Sequence, residues 1–450
     1  MSAYLINFLR TKFGIDRSIF WGVINKSFGL VKGPISIYFL ITFLSPQEQG
    51  LWYTFGNLSA LTVFAELGFT SIITQFVSHE YARLNDKTAI SNSKSFEIDR
   101  LMGLIKFSVK VYLFIIPSAI LILLVVGYFY FKTESQNIYF AWSIFSVVGG
   151  IYLFLGLLQS IYQGLDKVKD IQINIFISSS IMTLLNWAML MMHFKIWALV
   201  IGNLLGLLIS SYLLFKLAPK FWTVVLSYKL RNTYYFFKET MPLQLRYAIT
   251  WASSYFIMYL YVPATYKLVG QIQAGQLGMT IVILTAINGI ANNWVYTKVP
   301  KFNMLVSLKN YLGLNNLFKK ATLQGLVVQL ILSGLFILGL FFVQSYLPSI
   351  SKRFLSINLT ILLLLPQIAQ YIVGALAVYL RAHKEEPFMW LSVTNAILLI
   401  GAVFGVLSNN MGLKILFYCL NFIYWIIILP FAFKIYLFKK ELYRIKYYLN

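Results

Sequence analysis

Apolar residues along this chain gather into runs of about 20, the length at which a helix crosses ~30 Å of hydrocarbon. Short clusters of lysine, arginine, proline and glycine separate the runs. The runs lie at about 18–44, 51–76, 104–131, 138–163, 172–193, 196–215, 241–263, 272–296, 322–346, 358–380, 388–408 and 412–437. The pattern predicts an all-α polytopic membrane protein with about twelve transmembrane helices.

The polar connections fall into two sets. Both termini and the connections that follow even-numbered spans carry 28 of the 37 lysines and arginines. The other connections carry 6, namely Lys132, Lys195, Lys267, Lys352, Arg353 and Lys414. Because basic residues are retained on the cytoplasmic side, both termini are expected in the cytoplasm. The outside connections are short, the longest running from Tyr346 to Ile357. Two inside segments, 77–103 and 216–240, mix aromatic, aliphatic and basic residues, as in KLAPKFWTVVLSYKLRNTYYFFKE. They predict amphipathic helices on the cytoplasmic interface, with a partly disordered loop as the alternative. Segment 216–240 falls halfway through the span count. It divides the chain into an N-terminal six-helix lobe (1–215), an interfacial linker (216–240) and a C-terminal six-helix lobe (241–450).

Composition agrees with a membrane protein. Of 450 residues, 59% are hydrophobic and 11% charged, whereas a soluble domain carries roughly 25% charged residues. The net charge of +23 would elsewhere suggest nucleic acid. Here the basic residues line one membrane face, where they meet anionic headgroups, so membrane lipids are expected as partners and nucleic acid is not. The first apolar run is too long for a signal peptide and has no small-residue cleavage pattern behind it, so it should remain as the first span. The single cysteine, Cys419, rules out an intrachain disulfide.

Three cations remain inside spans, Lys26, Lys32 and Arg246, with one well-embedded acid, Glu66. A charge at the bilayer centre costs from about 2.5 to more than 10 kcal/mol, so these four are the first functional candidates. On a helical wheel Ser18, Gly22, Asn25, Lys26, Gly29, Lys32, Gly33 and Ser36 fall within an arc of about 120°. Gly29 and Gly33 form a GxxxG packing motif. Two lysines on a tight packing face would be costly, which favours a hydrated cavity, and Pro34 should bend the helix beside it.

Aligning Gly50 with Gly270 places Lys26 on Arg246, with Thr250, Ser253, Ser254 and Tyr261 forming a similar stripe. Two parallel six-helix bundles suggest a pseudo-two-fold axis along the membrane normal, with a site between them. Asn25, Lys26, Lys32, Arg246, Thr250 and Ser253 are therefore the expected substrate-binding residues. Glu66 lies about 15 Å from the inner face, and Lys26 and Lys32 about 12 and 21 Å, so Glu66 is a candidate charge partner or coupling residue. Three cations against one anion call for an anionic ligand.

No GxxxxGK[ST] loop is present, so ATP is not expected to drive the protein directly. His79, His193 and His383 stand apart, without HExxH or paired-cysteine spacing. No metal, cofactor or enzymatic chemistry is expected.

The stretch SPQEQGLWYTFGNLSALTVFAELGFTSIITQFVSHE resembles the second-helix region of bacterial oligosaccharide flippases. These are relatives of O-antigen and exopolysaccharide exporters in the multidrug/oligosaccharidyl-lipid/polysaccharide exporter superfamily. The twelve-span pattern, the 6+6 division, and QGLDKVKD after span 4 echoed by RAHKEEP after span 10 extend the resemblance over the chain. It implies a flippase of the bacterial cytoplasmic (inner) membrane that works by alternating access. The substrate would be a polyprenyl-pyrophosphate-linked oligosaccharide, moved from inner to outer leaflet. Lys26, Lys32 and Arg246 match the cationic cavity of such proteins by position and sign. A polysaccharide polymerase and glycosyltransferases would be its partners. Two alternatives stand beside it. One is a cation-coupled drug exporter of the same superfamily with Glu66 as coupling residue. The other is a membrane polysaccharide polymerase, which the short outside loops disfavour.

Overall fold

The computed structural model describes residues 17–84, 91–232, 234–383 and 388–448. The ordered elements are helices throughout. They are α1 (Arg17–Phe43), α2 (Pro46–Ser59), α3 (Phe69–Leu84), α4 (Ser91–Phe131), α5 (Gln136–Gly164), α6 (Val168–Met191), α7 (Ile196–Leu217), α8 (Pro219–Ser227) and α9 (Phe236–Met258). Then follow α10 (Tyr261–Leu268), α11 (Gln271–Tyr296), α12 (Val299–Ser307), α13 (Tyr311–Tyr346), α14 (Ile357–Arg381), α15 (Met389–Leu407) and α16 (Gly412–Phe422). A π-helical stretch, Ile423–Ile428, carries α16 into α17 (Leu429–Tyr448).

Among the described residues nine helices are long and apolar enough to cross a membrane, and ten if the bent pair formed by α2 and α3 is one span. Helices α1 and α9, of 27 and 23 residues, are also long enough at about 1.5 Å per residue. They fall short in apolarity because they carry Lys26, Lys32 and Arg246 together with several hydroxyl and amide residues. Counting them gives the twelve expected helices of an all-α polytopic membrane protein.

The chain forms two compact units. Unit 1 comprises Met1–Leu44 and Leu58–Ala252; unit 2 comprises Ser45–Asn57 and Ser253–Asn450. Helix α2 passes from one to the other at Asn57, and α9 does so at Ala252.

In unit 1 the core is built from Ile73 and Val77 of α3, Leu104 and Ile105 of α4, and Leu157 and Ile161 of α5. Helix α2 runs through a 3-10 turn, Ala60–Thr62, into Val63–Glu66 and stops there. Leu67 and Gly68 have φ of 52° and 75°, a left-handed pair that ends a right-handed helix. The chain turns by 51° and resumes as α3. Glycine takes this conformation freely; for leucine it is a strained position.

Helix α4 has 41 residues, which is ~60 Å of helix and well beyond the ~30 Å hydrocarbon layer. Residues 91–103, expected to lie along the interface as a separate amphipathic helix, are instead the first turns of α4. Their apolar positions have a better partner than headgroups, since Leu101 is buried in the core formed by α3, α4 and α5.

The segment after α7 is partly helical, as α8, and then extended. Val225 of α8 is buried in the same core. The extended part is fixed to α4 by Asp99, which is buried. Its carboxylate accepts from the Arg231 amide (2.9 Å), the Asn232 amide (3.0 Å) and the Tyr234 hydroxyl (3.0 Å). Lys106, two turns further along, donates to the Tyr228 carbonyl. The disordered-loop alternative does not describe this segment. A second anchor joins three helices. Glu80 of α3, with its side chain 4% exposed, pairs with Arg100 Nε of α4 at 2.9 Å. Arg100 Nη2 reaches Glu239 of α9 at 2.7 Å.

In unit 2 Pro366 lies inside α14, where a proline removes the bond to the carbonyl four residues earlier. That carbonyl, of Leu362, accepts from Asn421 Nδ2 of α16 at 2.7 Å. The first half of α2 packs on α11. Gln49 Nε2 donates to the carbonyls of Gly275 (2.8 Å) and Arg353 (3.1 Å). A Cβ on Gly50 would lie 2.1 Å from the Gln271 carbonyl oxygen, so only glycine permits this approach.

Candidate functional site

The polar stripe of α1 divides into two parts. One edge is a packing face against α6. Asn25 Nδ2 donates to the Gln172 backbone and side-chain oxygens, both at 2.8 Å. Ser36 accepts from Trp187 Nε1 at 3.0 Å, and Phe39 stacks on Trp187 with an interplanar angle of 7°. The other edge is open. A Cβ added to Gly22, Gly29 or Gly33 would meet no atom within 4 Å. The GxxxG pair therefore seats no neighbouring helix among the described residues. Lys26, on the open edge, is exposed, and Lys32 is half-buried with its Nζ 5.5 Å from the Phe28 ring centroid. Neither lysine belongs to an ion pair among the described residues.

Glu66 is the last residue of its helix, at the α2–α3 break. Its Oε1 accepts from the Thr70 amide at 3.3 Å and from the Tyr112 hydroxyl at 3.2 Å. Tyr112 is fully buried. The structure thus gives Glu66 two hydrogen-bonding partners, and neither is a lysine of α1. Helix α9 holds the break in place. Gln244 Nε2 donates to the Leu67 carbonyl at 2.9 Å, and Trp251 lies 2.6 Å from where a Gly68 Cβ would stand.

The Glu66 carboxylate lines a cavity of about 460 Å³ in unit 1. Thr62 and Thr70 flank it, and Gln159, Gln163 and Asn203 complete the polar wall. Gly149 and Gly156 of α5 leave room there. Gln159 and the buried pair Asn174–Ser210 tie this wall to α6 and α7. A lone carboxylate among amides and hydroxyls can hold a proton or a small cation. It offers nothing to an anion.

Arg246 and Thr250 lie on α9 within unit 1, and Ser253 begins the unit 2 part of that helix. The Arg246 side chain lies outside the described residues. Ser253 is buried and Thr250 half-buried. Unit 2 has its own cavity of about 210 Å³, walled by α11, α14 and the π-helical stretch. Asn288, Asn292, Gln367 and Tyr424 line it, as do Thr285 and Gln370. Sequence reasoning passed over these residues because it followed charges. The signal was available, since amides inside otherwise apolar runs are costly without a role.

Solved structures settle the architecture. One, described as the inward-facing conformation of a multidrug resistance MATE family transporter of the MOP superfamily, superposes with a TM-score of 0.64 at 12% identity, over 91% of this chain and 95% of that one. The chain has the MATE fold. A MATE protein crystallised in complex with MaD3S gives a TM-score of 0.54 at 12% identity, over 95% of both chains. No family model matches the sequence, and no curated protein matches it. At 12% identity the likeness establishes the fold alone. The MATE fold accounts for the twelve helices and the two six-helix bundles.

Proposed function

We propose that this MATE-fold protein is a flippase for polyprenyl-pyrophosphate-linked oligosaccharides, moving them from the inner to the outer leaflet by alternating access. The observation that carries the reading is the open edge of α1. Two lysines stand in a membrane-length helix beside three glycines with empty space above them. Neither has a carboxylate partner among the described residues. An anion that binds and leaves offsets a cost of at least about 2.5 kcal/mol per cation. A pyrophosphate supplies the charge, while the polyprenyl tail stays in lipid. Arg246, Asn25, Thr250 and Ser253 complete the proposed binding set. The distribution of basic residues supports both termini on the cytoplasmic side, and the resemblance to bacterial oligosaccharide flippases supports a location in the bacterial cytoplasmic membrane. Glycosyltransferases and a polysaccharide polymerase are the proposed functional partners.

A second reading rests on the unit 1 cavity, where Glu66 suits a coupling proton or cation in a drug exporter. Proteoliposomes separate the two. Leaflet transfer of a fluorescent lipid-linked oligosaccharide is expected in the wild type, with strong loss in Lys26→Ala, Lys32→Ala and Arg246→Ala. An inside-negative potential should speed outward transfer, because moving charge is worth about 2.3 kcal/mol per charge per 100 mV. Transfer driven only by a pH gradient and lost in Glu66→Gln would replace this drive with proton coupling. Absence of any lipid transfer, together with proton-driven export of organic cations, would overturn the flippase reading.

A further inference from the structure

The unit 2 cavity differs in kind from the one that holds Glu66. None of its fourteen lining residues is charged. At the register that aligns Gly50 with Gly270, unit 2 reads Thr285-Ala286-Ile287-Asn288 where unit 1 reads Ala65-Glu66-Leu67-Gly68. An alanine stands in place of the carboxylate, and an amide in place of Gly68.

The amides form a chain with two free ends. Asn292 Nδ2 donates to Asn288 Oδ1 at 2.5 Å, and Asn288 Nδ2 donates to Gln367 Oε1 at 3.4 Å. The chain leaves an acceptor at Asn292 and a donor at Gln367 without a partner among the described residues. Gln329 Nε2 fixes the backbone beneath, donating to the Gln367 carbonyl at 3.2 Å. Across the cavity stands Tyr424, whose hydroxyl accepts from Asn395 at 3.3 Å.

Three backbone irregularities converge on this space. Pro366 interrupts α14, the π-helical stretch carries Tyr424, and the α9–α10 junction precedes Tyr261. Irregular backbone at membrane depth is tolerated where it lines a cavity, and π segments often mark functional sites. The lining selects a ligand by exclusion. A neutral wall cannot compensate a desolvated phosphate or ammonium. A purely apolar ligand would leave the amides unsatisfied. A group whose every hydroxyl both donates and accepts satisfies amide ends of both senses. The volume of about 210 Å³ is smaller than the roughly 300–1,000 Å³ of a drug-sized site.

We propose that this amide-lined cavity is a subsite for one sugar ring of the transported glycan, separate from the cations that hold its pyrophosphate. The inference rests on the lipid-linked oligosaccharide reading above. Gly289 provides a clean test. A Cβ there meets no atom within 4 Å, so Gly289→Leu fills the cavity, keeps every amide and favours the helix.

The full chain in nanodiscs is titrated with two probes, bare polyprenyl pyrophosphate and the same carrier bearing an N-acetylglucosamine-hexose disaccharide. The disaccharide carrier is expected to bind the wild type at least tenfold more tightly than the bare one. Gly289→Leu and Asn288→Leu should each abolish that difference and leave bare-carrier binding within twofold. Lys26→Ala should weaken both probes alike. Equal affinity of the wild type for the two probes would overturn the subsite and leave the flippase reading standing. A sugar increment that survives Gly289→Leu would do the same. Failure to bind either probe would remove both proposals.

Discussion

Removing the Arg100 guanidinium tests how three unit 1 helices, α3, α4 and α9, are held together. Glu80 is buried, with its side chain 4% exposed, and its short contact is Arg100 at 2.9 Å. Its other partner, Arg83, is 3.5 Å away on a side chain 58% exposed. Breaking a buried ion pair from one side costs about 3–5 kcal/mol, because the remaining charge stays desolvated. The residual Arg83 contact places Arg100→Leu near the lower limit, at about 3 kcal/mol. Glu239 is more exposed, at 38%, and water replaces its lost partner at a cost of no more than about 1 kcal/mol. Against a typical total of about 5–15 kcal/mol, the single variant is expected to be markedly less stable. Glu80→Leu/Arg100→Leu removes both charges, and replacing a buried pair by apolar groups is often neutral. Denaturant titration in mixed micelles should therefore find the double variant close to wild type and well above Arg100→Leu. A double variant as unstable as Arg100→Leu would show that desolvation of Glu80 is not the cause and would refute the reasoning.

Asn421→Leu should lower stability by about 1–3 kcal/mol, because it leaves the Leu362 carbonyl freed by Pro366 without a donor; the same titration reads it. Asp99→Ala should release the stretch from Tyr228 to Tyr234, seen as faster amide exchange at Arg231 and Asn232 with α4 itself still protected. Gly68→Ala combines a φ of 75° with a Cβ 2.6 Å from the Trp251 ring, so poor membrane yield is expected, partly relieved by Trp251→Ala. Cysteines at Gly29 and Gly33 should react with small water-soluble thiol reagents faster than a cysteine at Val31, an exposed position off the polar stripe; equal inertness would place the open edge in lipid.

Much of the fold was legible because a bilayer imposes one rule. Every span must be a long apolar helix, and such runs stand out without any tertiary information. The exceptions, α1 and α9, were recognisable through their even spacing with the other runs. The break at Glu66 was not legible. Leucine seldom adopts a left-handed conformation, and only Gly68 hints at it. Nor was the ordering of the segment after α8, because Asp99 acts on backbone amides at Arg231 and Asn232 that any sequence possesses. Of the candidate site, the charged residues were found by counting charge. Asn288, Asn292, Gln367 and Tyr424 were missed because their significance lies in convergence from three helices. The split of the α1 stripe into a packed and an open edge was also hidden, since a wheel shows direction but not what lies there.

Gln49 and the Gly275 carbonyl that receives its amide are 226 residues apart. A ribosome adding about 5–20 residues per second needs roughly 10–45 s to cover that interval. Throughout it, α2 is already made and α11 is not. The close seat that Gly50 offers to Gln271 stands empty, and the polar Gln49 must be accommodated by lipid headgroups, water or the insertion machinery. Biogenesis is consequently ordered. The first half of α2 waits, while the half beyond Asn57 can settle against α3, α4 and α5. A bulkier residue at Gly50 would pass unnoticed in the nascent N-terminal half and declare itself only when the second half arrives.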